Sequence, residues 1–184
     1  MPLVASHAAG IGAYYIFANP ITSTTATTSG AASSSAYVPP PAYVPRTPPA
    51  GFDEYHNLTY HLSLFYPNTL TVKEYAQAGT AMTVTFEATD GSNDGFQIFI
   101  VPYGESQITP DRLKQDIPSG VIEQQTNIVI DGKPAIMFYS TNATLGDTRE
   151  VWFINHGFLY EVTTYKQLDT WLASIMQTWQ FIQD

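Results

Sequence analysis

The chain has 184 residues, a net charge of −9 and no cysteine. Disulfides, thiolate metal sites and cysteine nucleophiles are thereby excluded, and the acidic balance argues against nucleic acid or anionic headgroups, whose phosphates are bound through Lys and Arg. Charge is unevenly placed: Arg46 is the one charged side chain in the first fifty residues, and every carboxylate lies at or beyond Asp53.

From Leu3 to Ala18 the chain reads LVASHAAGIGAYYIFA, with no Lys, Arg, Asp or Glu and His7 as its one basic side chain, and closes on Tyr14, Tyr15 and Phe17. This is the pattern of the outer end of a spanning helix with aromatic residues at the interface. Sixteen residues at about 1.5 Å each reach about 24 Å, short of the roughly 30 Å hydrocarbon core, and the cationic region of a signal sequence is missing. Residues 1–18 are therefore expected to be a truncated transmembrane or signal-anchor segment whose start lies upstream, with a cleaved signal peptide or a short apolar arm as alternatives. Residues 19–45 contain no Lys or Arg, so the part that follows is expected on the extracytoplasmic side, in the envelope or at the cell surface.

Residues 19–52 are rich in Thr, Ser, Ala and Pro and carry too little apolar surface to offset chain entropy, which predicts a disordered stalk. Its second half repeats AYVP, at Ala36 to Pro39 and Ala42 to Pro45. Prolines at that density favour a polyproline II spacer; a proline-rich ligand for an aromatic groove is the sharper alternative.

Residues 53–184 are expected to fold as one domain. Tyr60 to Tyr66 alternates, with Tyr60, Leu62, Leu64 and Tyr66 on one face and His61 opposite, and Pro67-Asn68 ends the strand. Leu70 to Val72 and Ala81 to Phe86 follow as extended runs, and Gly95 to Pro102 is apolar on both faces, as in a covered central strand. Thr109 is placed to cap a helix starting at Pro110, with Ile108 and Leu113 at staple positions and Pro118 and Gly120 as the stop. Strands are then predicted at Asn127 to Ile130, Ala135 to Ser140, Thr148 to Asn155 and Phe158 to Thr164, with turns at Asp131-Gly132 and His156-Gly157. Leu168, Trp171, Leu172, Ile175 and Met176 form a helical stripe, and Trp179-Gln180-Phe181 closes the domain as a short edge strand or clamp. The expected fold class is α+β: an antiparallel sheet of about six strands flanked by helices on both faces.

The order Tyr60 to Pro67, Phe96 to Pro102, Ile130-Asp131-Gly132-Lys133-Pro134-Ala135, Glu150 to Tyr160 with a Gly turn, and a Trp-bearing helix ending in Trp179-Gln180-Phe181 resembles the PsbP-like family over roughly residues 55–183. That family includes the extrinsic protein of the plant oxygen-evolving complex and many anchored bacterial proteins of unassigned role. The resemblance implies an α/β/α sandwich and a habit of binding proteins or metals without catalysis. No segment matches the N-terminal binding regions of the photosynthetic members, so no photosystem role is implied.

Two constellations suit metal ions. Asp90-Gly91-Ser92-Asn93-Asp94-Gly95 puts oxygen side chains at the first, third and fifth positions of a calcium-loop pattern, giving Asp90, Ser92 and Asp94 as candidate Ca²⁺ ligands. The twelfth position is Val101 rather than Glu, so a plain hairpin loop is the simpler reading. Asp53, Glu54, His56 and His61 offer mixed oxygen and nitrogen ligands for zinc or copper. No G-x-S-x-G elbow and no phosphate-cradling loop occurs, and sixteen acids make chance carboxylate pairs common. The sequence thus predicts a non-catalytic, membrane-anchored module without a required cofactor, binding another envelope or surface protein. A small-ligand or Ca/Zn-binding domain, or a hydrolase, stands as the alternative.

Overall fold

The computed structural model describes residues 43–183; the expected anchor (1–18) and the AYVP copy at Ala36 to Pro39 lie outside them, as does most of the expected stalk. The described residues form ten strands: β1 (Phe52–Asn57), β2 (Leu62–Pro67), β3 (Leu70–Ala76), β4 (Met82–Ala88), β5 (Gly95–Pro102), β6 (Glu123–Ile130), β7 (Lys133–Asn142), β8 (Gly146–Asn155), β9 (Phe158–Tyr165) and β10 (Gln180–Phe181). Two helices accompany them, α1 (Pro110–Asp116) and α2 (Asp169–Met176), the second preceded by a 3-10 turn at Lys166–Leu168. Seven strands make one antiparallel sheet in the order β3-β4-β5-β9-β8-β7-β6, and β1-β2-β10 make a second.

This overturns the α+β expectation of about six strands covered by helices on both faces: the described fold is mostly β. Helices of seven and eight residues are about 12 Å long, whereas seven strands span roughly 29 Å at their usual spacing. The helices therefore cannot blanket the sheet, and the three-stranded sheet supplies the missing cover. Its first strand escapes sequence reading because FDEYHN buries Tyr55 alone and shows no run of alternating apolar residues. The first half of β6, EQQTN, is exposed and polar because it is a sheet edge.

Alternation assigns the core. Val84 and Phe86 on β4, Phe96, Ile98 and Ile100 on β5, Val151 and Phe153 on β8, and Tyr160 and Val162 on β9 share one cluster with Leu62 and Leu64 of β2, Leu172, Ile175 and Met176 of α2, and Trp179 and Phe181. Phe86 stacks on Phe96 at 4.2 Å, and Phe153 on Tyr160 at 5.1 Å, between ring centroids. Gly95 has no alternative at its position, because a Cβ there would collide with the Phe86 carbonyl oxygen. The hairpins after β6 and β8 turn through Asp131-Gly132 and His156-Gly157, all four with positive φ, the two-residue geometry that matches strand twist.

Helix α1 begins as its residues dictate: the Thr109 side chain accepts a hydrogen bond from the Arg112 amide with Pro110 in the first turn. It lies with Ile108, Leu113 and Ile117 over Phe138, Trp152 and Leu159, on the opposite face of the large sheet from α2. The C-terminal end is tied down where Asp131 accepts the Phe181 amide at 2.7 Å.

Candidate binding sites

The face of the large sheet under α1 is unusually polar. One residue out of phase with the aromatic core, Thr85, Gln97, Thr163 and Glu150 are successive cross-strand neighbours, and each is 5 % exposed or less. Glu161 stands beside them, opposite Trp152, at 2 % exposure. Thr163 donates its hydroxyl hydrogen bond to Glu150 at 2.7 Å, and the Trp152 indole donates at 3.3 Å. Burial pushes the Glu150 carboxyl up to about 7 against the opposing pull of Thr163, Thr148 and Trp152. Burial also raises Glu161 well above the carboxylate range, helped by the neighbouring Asp116 charge and opposed by Arg112. From α1, Arg112 contacts Asp116 one turn on and reaches Glu161 at 3.4 Å, so one guanidinium serves the acids of two elements.

Asp116, Ser140, Thr148, Glu150, Glu161 and Thr163 border a cavity of about 20 Å³, room for about one water molecule. Glu150 and Glu161 are themselves buried, so this pair does not present its oxygens to a sugar- or ester-sized group. These acids escape motif search because each is an isolated Glu within a strand. The available signal was alternation: Glu150 shares its face with Trp152, and Glu161 with Leu159, both buried.

A larger, open cleft of about 230 Å³ lies between the β2–β3 turn and the β4–β5 loop. Asp90, Ser92 and Asp94 line it together with Thr69, Leu70 and Trp171 of α2. The loop is shaped by its own side chains: Asp90 accepts the Ser92 amide at 2.9 Å, and the Ser92 hydroxyl accepts the Asp94 amide at 3.3 Å. The Ser92 bonds hold the Asp90 carboxyl below its ordinary range, so it carries charge at neutral pH. Among the described residues no Lys or Arg borders the cleft.

The structure thus gathers Asp90, Ser92 and Asp94 on one wall while Val101, the twelfth loop position, lies within β5. The other candidate set is dispersed. Asp53 and His56 are three apart on β1 and therefore face opposite sides of the strand. His61 is not a strand residue but sits in the turn before β2 with φ 52°, its ring 4.3 Å from that of His156. Among the described residues no group of three His, Asp or Glu converges as metal ligands, and no helix is long and apolar enough to cross a membrane.

The architecture defined by the seven-stranded antiparallel sheet, α1 on one face and the small sheet with α2 on the other is PsbP-like. The solution structure of cyanobacterial PsbP from Synechocystis sp. PCC 6803 matches with a TM-score of 0.53 at 12 % identity, covering 76 % of this chain and 98 % of that one. A crystal structure of a protein from Bacteroides thetaiotaomicron matches with a TM-score of 0.52 at 12 % identity over 73 % of this chain, which spans 50 % of the Bacteroides protein. No family model and no curated protein matches the chain. At these identities the likeness shows the fold alone.

Proposed function

We propose that this chain is a non-catalytic, membrane-tethered extracytoplasmic module that receives a cationic group, free or displayed by another envelope protein, in the cleft between Asp90, Asp94 and Trp171. One observation carries the reading: two carboxylates and an indole share a concave surface with no basic side chain among the described residues, on a chain of net charge −9. Carboxylates attract the positive head, and an indole face attracts it through its quadrupole while contacting attached methylenes. The small volume suits an amine or a lysine tip rather than a drug-sized ligand. The competing picture of a flat apolar docking face has less support, since the large apolar side chains exposed among the described residues, Val44, Leu58 and Val129, are three and lie on separate segments of the chain. The tether and the side of the membrane rest on the sequence of residues 1–45.

Trp171 is the natural reporter, because Trp152 and Trp179 are 1 % and 2 % exposed. Butylammonium added to the full chain should change tryptophan emission saturably, and the Asp90→Asn/Asp94→Asn variant should lose the response. A response that survives in the double variant, or none at tens of millimolar, would remove the cleft as the site. Calcium chloride in a parallel titration separates a hard-cation loop from an ammonium site.

A further inference from the structure

The second AYVP copy is not an inert part of the spacer. Its Tyr43 hydroxyl donates to Glu54 Oε1 at 2.6 Å, and its ring lies 5.0 Å from that of His56. Arg46, the next residue after the repeat, donates its amide to Glu54 Oε2 at 2.8 Å and its Nε to Oε1 at 3.0 Å. The guanidinium sits 4.1 Å above the Phe65 ring and donates from Nη1 to the Thr178 carbonyl at 2.9 Å. Glu54 is 6 % exposed at its side chain, and Ser63 beneath is 1 % exposed. Burial raises the Glu54 carboxyl, but the bonds from Tyr43 and Arg46 outweigh it and hold the group below its ordinary range, so the acceptor is charged when the segment is seated.

The first copy has the same four residues but is followed by Pro40 where the second has Arg46. Proline has no amide hydrogen and no guanidinium, so that copy can reproduce the tyrosine contact and none of the four Arg46 contacts. We propose that the outer face of β1 and β2 is a peptide-binding site that reads a tyrosine three residues before an arginine, occupied here in cis by Tyr43 to Arg46. Glu54 is its anchor, taking both the tyrosine and the arginine; Phe65 and the Thr178 carbonyl select arginine over proline. Arg46 fixes the register, so a Tyr-x-x-Pro segment is expected to bind more weakly.

Full-length Arg46→Ala chain, titrated with the synthetic peptide Ala-Tyr-Val-Pro-Arg-Thr while backbone amides are followed by NMR, tests this. Shifts should concentrate on β1 and β2, with at least about tenfold tighter binding than for Ala-Tyr-Val-Pro-Pro-Pro, the weight of one charge-assisted bond. The unaltered chain should bind the same peptide at least about tenfold more weakly, because its tethered segment competes at millimolar effective concentration. Adding Glu54→Gln to the variant should weaken binding of the arginine peptide and narrow its preference over the proline peptide without erasing it, because the Phe65 ring and the Thr178 carbonyl remain. If Arg46→Ala does not fold, Tyr43→Ala carries the same expectations. Equal affinity for the two peptides, or no shift on β1 at millimolar peptide in the folded variant, overturns the proposal and leaves the segment a fixed part of the domain.

Discussion

The two faces of the seven-stranded sheet are made by alternate residues of the same strands, yet one is aromatic and aliphatic throughout while the other sets buried acids beside an apolar patch under α1. On β8 and β9, Val151, Phe153, Tyr160 and Val162 enter an aromatic core shared with the small sheet and α2. Their immediate neighbours Glu150 and Glu161 are equally buried but hold charge or protons beneath α1. Burial by itself therefore says nothing about whether a position stabilises the domain. The aromatic face gains from leaving water, while the acidic face is neutral or unfavourable unless its carboxyls are protonated or paired with Arg112.

The largest test of that contrast is Phe153→Ala, which opens a cavity among Tyr160, Trp179 and Phe181 and should destabilise by about 4 kcal/mol in chemical denaturation. On the other face pH is the sharper tool. The Glu150 carboxyl rises from 4.5 to about 7 on folding. A raised folded value means its contribution is fully present below about 4.5 and is lost as pH climbs through 7, a loss of roughly 3 kcal/mol by pH 8. Glu161 acts in the same direction. The melting temperature should therefore fall between pH 5 and pH 8, and Glu150→Gln should flatten that fall. A melting temperature that rises over this range would break the comparison. Thr109→Ala removes the cap of the helix covering the acids and should cost about 1 kcal/mol of stability by denaturant titration. Asp90→Asn, on the exposed loop, should leave the denaturation midpoint unchanged while weakening amine binding to the cleft.

Legibility in the sequence followed the same divide. Where neighbours along the chain decide the outcome, the residues were explicit: Thr109-Pro110 starts α1, the Asp131-Gly132 and His156-Gly157 pairs turn hairpins, and Leu62 and Leu64 enter the core. Where the decision belongs to residues far apart, they were not. Nothing in FDEYHN announces that β1 will pair with β2 and turn a helix-covered sheet into two sheets. The Asp90 loop was visible as a set of oxygens, but Trp171, which completes the cleft, comes from α2. Glu150 and Glu161 were two acids among sixteen until pairing set them on one face beside Asp116.

The position of β10 bears on how the domain is made. The small sheet closes when Phe181 pairs with Leu62 and Asp131 accepts the same residue's amide. Leu62 belongs to an early strand, so its partner emerges from the ribosome after every other described strand. Until then, Leu62, Leu64 and the rings of Phe153 and Tyr160 lack their lid. Slow folding dominated by contacts between distant residues follows from where one two-residue strand sits.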